Sequence, residues 1–359
     1  MARASAGGRL HFGFCNLSLS HERLYGALGL GLAEPRVVVD AERADAVRVA
    51  VDGSGGGSGT GSDGGASTGS DGGPDRSVAA DVREYAAVAA DLLGVDGARV
   101  TVRESLPRHA GLGSGTQLAA ATLAAVAAAH DRPARVRERA PALGRGGRSG
   151  IGVATFEGGG FVLDAGHPTA RFTTDRPADG AWTVPPVAAR HPVPNDWRFL
   201  LVRPDADPGR NGAAEDDAMR TAVERAEPGL ADRIGGIVTR RVLPSIATGN
   251  AERFGAAVAE IGRLNGAWYA DEQGGVYRPP VGDVVASLSE SAAVFGAGQS
   301  SWGPTVYGVT DTTRAEAAAA AGERALDEAG VEGSVSVVEA ANGGARVRSS
   351  IDRSDEQQH

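Results

Sequence analysis

Lysine is absent from this chain. All 36 of its basic residues are arginine, so neither a lysine Schiff base nor a lysine-dependent phosphate clamp is available, and both roles fall to guanidinium groups. Cysteine is reduced to Cys15 alone. An intrachain disulfide is thereby excluded, and a reducing cytosol is the expected compartment. No apolar run is long enough to span a membrane, and the first residues, MARASAGGRLHFGF, do not resemble a signal peptide. Positive charge is in the minority, with 45 Asp and Glu for a net charge of −9. That balance points to a salt-adapted organism with GC-rich codons and argues against a nucleic-acid partner.

The 359 residues, 42% of them hydrophobic, suffice for two ordinary domains. Leu106 to His130 organises the rest. A glycine-rich turn (Gly111, Gly113, Gly115) follows Pro107, and Thr116 to Ala129 reads as an unbroken helix. Such a turn strips side chains away and lets backbone N–H groups converge on an anion at the helix N-terminus. Ser114 and Thr116 are expected to cap that end with their hydroxyls. The alternative is a core helix after a flexible turn, because glycine-rich turns alone are weak signals.

Taken in order, Arg9 to Phe14, Tyr25 to Leu32, Arg36 to Asp40 and Ala46 to Asp52 read as a β-meander. Gly53 to Asp75 is almost only Gly, Ser, Thr and Asp, a composition expected of a disordered surface insert. Val82, Tyr85, Val88, Ala89, Leu92 and Leu93 share one helical face, and Arg99 to Glu104 alternates as a strand. A short helix is expected in Pro133 to Gly144. A second glycine-rich turn, Gly144 to Gly150, carries Arg145 and Arg148, and Gly158 to Ala165 reads as a strand. The proline-dotted residues from about His167 to Asn195 mark a domain transition. Beyond it, Trp197 to Val202 is a strand. Helices are expected at Asp216 to Glu227, Gly229 to Ala247, Ala251 to Leu264, Val281 to Phe295 and Arg314 to Ala329, with strands at Thr305 to Thr310 and Ser334 to Glu339. The class is α+β, a sandwich with one sheet face covered. An N-terminal domain over residues 1–170, a C-terminal α+β domain over 195–342 and a frayed polar tail over 343–359 are expected.

These residues carry a resemblance. Pro107-Arg108-His109-Ala110-Gly111-Leu112-Gly113-Ser114 resembles the second, phosphate-binding motif of the galactokinase–homoserine kinase–mevalonate kinase (GHMP) superfamily. Gly296 to Gly303 stands where its third glycine-rich motif does, and Arg9 to Gly13 where its first does. Within that superfamily, GLGSGTQLA (Gly111 to Ala119), RSGIGVATFEGGGFVLDAGH (Arg148 to His167), GQSSWGPTVYG (Gly298 to Gly308) and NLSLSHERLYGALGLGL (Asn16 to Leu32) resemble the archaeal β-ribofuranosylaminobenzene 5′-phosphate synthase family. The resemblance spans nearly everything except the insert and the tail.

It implies the two-domain GHMP kinase-like fold, with an N-terminal domain like ribosomal protein S5 domain 2 and a ferredoxin-like C-terminal domain. The implied activity is that of a pentosyltransferase. Phosphoribosyl pyrophosphate would be condensed with 4-aminobenzoate or 4-hydroxybenzoate, releasing pyrophosphate and CO2, early in methanopterin biosynthesis. Mg²⁺ would neutralise the leaving group, no organic cofactor is required, and related proteins are often homodimers. Arg148, His109, Arg9 and His11 are the catalytic candidates. Arg108, Gly111, Gly113, Ser114, Gly115, Thr116, Gln117, Arg145, Ser149, Gln299, Ser300 and Ser301 are the candidates for substrate and phosphate binding. Asp164 and His167 end a strand near the same loop, and either is a candidate Mg²⁺ ligand or only caps a turn. Solvated turns are the alternative for the arginines, and a satisfied turn histidine for His109.

An ATP-dependent kinase is the competing expectation. In mevalonate-kinase-like members an aspartate of a Ser-Gly-x-Asp segment is the catalytic base. Here Ser149-Gly150-Ile151-Gly152 puts Gly152 at its place, where the small residue is expected to leave room for an aromatic acceptor. A third possibility, a degenerate ligand-binding scaffold, would not require Arg, Ser and Thr in three glycine-rich turns. Glu215-Asp216-Asp217 is left outside the site, as acidic residues suit a helix start anyway. Trp268, Tyr269 and Tyr277 are assigned either to an aromatic pocket or to the core.

Overall fold

The computed structural model describes residues 1–52, 74–170, 178, 180–207 and 212–349. Of the insert expected at 53–75, residues 53–73 lie outside the described residues. Pro74 and Asp75 already belong to the first turn of a helix.

In the N-terminal half, β1 (Ala2–Asn16) and β2 (Arg23–Arg43) form a long antiparallel pair, followed by β3 (Arg48–Val51), helix α1 (Pro74–Leu93), β4 (Ala98–Glu104) and helix α2 (Ser114–Ala129). Next come the single turn α3 (Val136–Arg139), a 3₁₀ turn, α4 (Ile151–Gly158), β5 (Phe161–Asp164), β6 (His167–Pro168) and β7 (Val187–His191). The two segments expected as separate strands at 25–32 and 36–40 are one strand, β2, which passes through Pro35 where the ladder with β1 skips register between Gly7 and Arg9. The sheet order is β12-β1-β2-β4-β3, and β5 pairs with both β2 and β7. Val187–His191, expected within the transition between domains, is thus part of this sheet.

Helix α2 sits at the centre of that half. Every residue from Gln117 to Ala127 is buried. A helix packed on all sides must be apolar all round, and a run of alanines meets that need with high helix propensity and little bulk. It packs on the sheet through Val39, Val100 and Val102 and beside α1 through Val82, Tyr85 and Ala86.

The C-terminal half comprises β8 (Trp197–Pro204), α5 (Gly212–Arg225), α6 (Pro228–Ile237), a π-helical turn leading into α7 (Leu243–Thr248), α8 (Ala251–Gln273), α9 (Val281–Ser289), β9 (Gly296–Gln299), β10 (Val306–Asp311), α10 (Ala315–Ala329), β11 (Gly333–Val338) and β12 (Arg346–Ser349). Four strands make an antiparallel sheet in the order β11-β8-β10-β9. Its two faces are both covered, correcting the expectation of one. Phe199, Leu201, Tyr307 and Val309 pack with α6, α8 and β1, while Leu200, Val202 and Val306 pack with α9 and α10. An uninterrupted apolar run such as WRFLLV marks a strand buried on both sides.

One further correction concerns the C-terminal residues. Residues 343–349 are not a frayed tail, for β12 adds an edge strand to β1, with Ala2 opposite Ser349; residues 350–359 lie outside the described residues. Long β1 and β2 run through both hydrophobic cores. Ala4, Ala6, Val37 and Val39 pack with α1 and α2, whereas Leu10, Phe12, Leu28 and Leu30 pack with Trp197, Phe254 and Tyr307 of the C-terminal half.

Candidate active site

The glycine-rich turn after β4 adopts the backbone its sequence suggests. Gly111 and Gly113 have φ of 80° and 78°, the left-handed region that glycine enters without penalty. Gly113 is itself the N-cap of α2, and no side chain caps the helix. Ser114 and Thr116 therefore do not play the capping role expected of them. They line the cleft in front of the helix end instead.

Missing side chains are filled by arginine. A Cβ on Gly113 would lie 3.0–3.3 Å from the Arg9 side chain, and one on Gly115 would lie 3.0 Å from Nη1 of Arg145. Arg9 also donates through Nη1 to the Gly111 carbonyl at 2.5 Å, and its backbone N–H donates to the Leu112 carbonyl. Two guanidinium groups thus crowd the positive end of a helix whose first turn holds no acidic residue. Like charges repel there. The arrangement is unfavourable until an anion enters, and it is built for one.

The cleft measures about 550 Å³, and Arg9, Arg108, Arg145, Arg148 and His109 all line it. Arg108 pairs with Asp81. Arg145 donates to the Tyr85 hydroxyl, with its guanidinium carbon 5.3 Å from the centre of that ring. Arg148 bonds Glu215 at 2.8 Å and also Asp216. The Nε–H groups of Arg145 and Arg148 are buried with no partner. Burial lowers the Arg9 pKa to about 10, opposed by Glu215, and the group remains charged. His109, at φ 52°, has its pKa lowered by burial and by Arg108, which favours its neutral form.

Other expected site residues lie elsewhere. Gln117 is fully buried, one position past Thr116 and turned into the protein, where Nε2 donates to the Gly152 carbonyl at 2.9 Å. Ser300 is equally buried; its hydroxyl donates to the Gly111 carbonyl at 2.8 Å and accepts from the His11 backbone N–H at 3.1 Å. It fastens the third motif to the other two and offers nothing to a ligand. Ser149 is also absent from the cleft wall: its hydroxyl accepts from the Ile151 N–H. Gln299 turns away to bond the Ser301 carbonyl, while Ser301 itself lines the cleft.

Asp164 is not placed as a metal ligand. It is 2% exposed, and its two oxygens accept from the backbone N–H of Gly150 at 2.8 Å and of Gly166 at 2.9 Å. Burial raises its pKa to about 6 against those bonds. Its function is to pin the turn that carries Arg148. His167 is buried edge-on to Tyr25. Among the described residues no group of three or more His, Cys, Asp and Glu is placed to hold a metal.

Gly152 also differs from expectation. It is buried in the first turn of α4, and a Cβ there would meet Thr116 Cγ2 at 2.8 Å. Its smallness lets α4 approach α2 and makes no room for an acceptor. Conversely, Glu215 and Asp216, left outside the site on sequence grounds, stand in the cleft opposite Arg148. Only the packing of α5 against the cleft reveals them. The aromatics divide: Trp268 packs at the margin of the core, whereas Tyr269 and Tyr277 line a second, smaller pocket.

His11 is on the wall of that second pocket and not in the cleft. It is 4% exposed, its ring stands edge-on to Phe14 at 5.0 Å, and Nδ1 has no partner. Burial and the nearby Arg9 charge lower its pKa to about 3. It is a neutral imidazole throughout the physiological range.

Comparison with known proteins agrees with this architecture. The family described as GHMP kinases N terminal domain matches residues 78–160, and GHMP kinases C terminal matches residues 242–328. A protein of Methanothermobacter thermautotrophicus named beta-ribofuranosylphenol 5'-phosphate synthase is 34% identical over 319 residues, 88% of this chain and 90% of that one. One of the same name from Methanocaldococcus jannaschii is 26% identical over 344 residues, covering 94% and 98%. Among solved structures, homoserine kinase from Cytophaga hutchinsonii superposes with a TM-score of 0.61 at 17% identity, covering 97% of each chain. That last likeness concerns the fold alone.

Proposed function

Because the chain belongs to the beta-ribofuranosylphenol 5'-phosphate synthase family of the GHMP fold, we propose that it is a pentosyltransferase that joins phosphoribosyl pyrophosphate to a para-substituted benzoate. The ring carbon bearing the carboxyl group attacks the anomeric carbon, the bond to pyrophosphate breaks, and CO2 leaves as the ring regains aromaticity. The relatives are named for a phenol product, which favours 4-hydroxybenzoate over 4-aminobenzoate as acceptor. Methanopterin biosynthesis is the pathway such a product would enter.

One observation carries this reading: two guanidinium groups, Arg9 and Arg145, lie against the bare N-terminus of α2 in a cleft that Arg108 and Arg148 also enter. The cleft suits a highly charged, departing diphosphate. As that group leaves, the sugar becomes oxocarbenium-like, and donors fixed in advance lower the barrier most effectively. Arg148 and Arg145, with unpaired Nε–H groups, bind diphosphate oxygens in a fork that lysine does not offer. His109, whose charged form is disfavoured by burial and by Arg108, stands beside them, and the N–H groups of the first turn of α2 complete the cradle.

Mg²⁺ belongs to this proposal. Asp164 has both oxygens engaged by backbone, so carboxylates of the cleft wall, Glu215 and Asp216 beside Arg148 among them, would hold the ion with the diphosphate. The ion would neutralise charge on the leaving group.

The kinase alternative loses its base, since Gly152 has no side chain and its position is filled by Thr116. The test is incubation with phosphoribosyl pyrophosphate and carboxyl-labelled 4-hydroxy- or 4-aminobenzoate, following labelled CO2. Release that depends on both substrates is expected. ATP-dependent phosphorylation of homoserine or mevalonate, without CO2 release, would overturn the proposal.

A further inference from the structure

Beside the arginine-lined cleft is a small, partly open pocket of about 50 Å³, walled by His11, Phe14, Asn265, Tyr269, Tyr277 and Trp302. It adjoins the cleft, since Ser301 and Trp302 line both. Most of its polar walls are already engaged. Asn265 gives Nδ2 to the Phe14 and Ile261 carbonyls and accepts from the Phe14 N–H, and Gln299 bonds the Ser301 carbonyl. His11 is the exception: Nδ1 is buried, no other residue partners it, and the ring's one hydrogen-bonding contact is with its own backbone. An unpaired buried polar atom is costly and needs a reason.

A second oddity also lines the pocket. Gly262 lies inside α8, where glycine weakens a helix relative to alanine. A Cβ there would stand at ordinary contact distance, 3.5 Å from the Tyr307 hydroxyl and 3.9 Å from that of Tyr277. Packing therefore does not require glycine at this position. What a larger residue would do is fill the pocket.

We infer that this pocket receives the distal edge of the aromatic acceptor and that His11 hydrogen-bonds its para substituent, making His11 a specificity-determining residue. The inference rests on the transferase reading above. The pocket is too small for a whole benzoate, and the chemistry does not ask that of it. The carboxyl-bearing carbon must remain in the cleft to reach the sugar, with its carboxylate toward Arg9, two residues along β1 from His11. The para end then enters between the aromatic walls. A hydroxyl there both donates and accepts, and so satisfies either tautomer of a neutral imidazole.

Binding separates this inference from the reaction itself. Dissociation constants for 4-hydroxybenzoate and unsubstituted benzoate are read from tryptophan fluorescence, Trp302 being in the wall. Inorganic pyrophosphate is titrated in parallel by calorimetry. Wild type should favour 4-hydroxybenzoate by on the order of ten- to a hundredfold, the usual effect of leaving a buried polar atom unpaired. His11→Phe should bring that ratio close to one. Gly262→Leu should weaken 4-hydroxybenzoate at least about tenfold, with pyrophosphate affinity unchanged and thermal stability equal or higher. Should Gly262→Leu fail to fold, Gly262→Ala, whose methyl enters without a clash, is read the same way.

Unchanged 4-hydroxybenzoate affinity in the folded Gly262 variant, or an unchanged ratio in His11→Phe, overturns the inference. If wild type binds both ligands as expected but releases no CO2, the transferase reading fails while the pocket assignment stands.

Discussion

Replacing Arg148 by alanine tests the anion cleft most directly. Its side chain is 13% exposed and is held by Glu215 and Asp216, which are 32% and 38% exposed. Two effects on diphosphate binding add. Losing a charge-assisted contact costs about 1.5–3 kcal/mol. The two carboxylates, no longer neutralised, also repel the anion, by about 1 kcal/mol after solvent screening. Together they amount to about 3 kcal/mol, on the order of a hundredfold in Kd. Stability should change little, about 1 kcal/mol or less, because the freed carboxylates reach water. The assay is calorimetric titration with inorganic pyrophosphate without divalent ions, beside a thermal melt. Combining Arg148→Ala with Glu215→Gln and Asp216→Asn should recover the repulsive part, several-fold in affinity. An unchanged Kd with a large loss of stability would show that Arg148 only ties α5 down, and the reasoning about the cleft would be wrong.

Three shorter predictions accompany it. Gly115→Ala places a methyl against the Arg145 guanidinium, so pyrophosphate affinity should fall about tenfold while the melting temperature holds or rises; unaltered affinity would remove Arg145 from the cradle. His11 has a folded pKa of about 3 against about 6.5 unfolded, so its contribution is complete above pH 6.5. As pH falls, the unfolded chain takes up a proton that the folded chain does not, and stability declines by about 1.4 kcal/mol per pH unit until the folded pKa is reached. His11→Phe should therefore flatten the drop in melting temperature between pH 7 and 5, and parallel curves would refute this. Gly152→Asp should destabilise by several kcal/mol, since it overpacks Thr116 and buries a carboxylate; a melt like that of wild type would show that α4 stands off from α2.

Much of the fold is written locally. The alternation of β1, the unbroken apolar α2 and the apolar run of β8 each follow from period and composition. Helix α4 does not: its eight residues lie between glycine clusters and resemble the strand that follows. Strand β12 reads as a polar tail because an edge strand at the surface needs no apolar face. In the site, the arginines and the glycine turn are legible because their chemistry is compositional. Motif membership does not reveal direction, however. Each residue of a helix is turned about 100° from the last, which sends Gln117 into the core while Thr116 faces the cleft. Glu215 and Asp216 read only as helix-start carboxylates for another reason. They are 67 and 68 positions from Arg148, and only tertiary packing joins them.

The pairing of Ala2 with Ser349 has a kinetic consequence. During synthesis β1 is made before β12 and must wait, one edge unpaired, until the chain between them has been made. Closing so long a loop is entropically slow, and an open strand edge invites association with other chains meanwhile. Arginines alternate along the complementary strand, Arg346 and Arg348 facing Ser5 and Arg3, and Arg3 is already held by Asp40 across β2 at 2.6 Å. The waiting edge is thus marked by a single arginine already neutralised across β2, while the strand that closes it brings the exposed charges of Arg346 and Arg348.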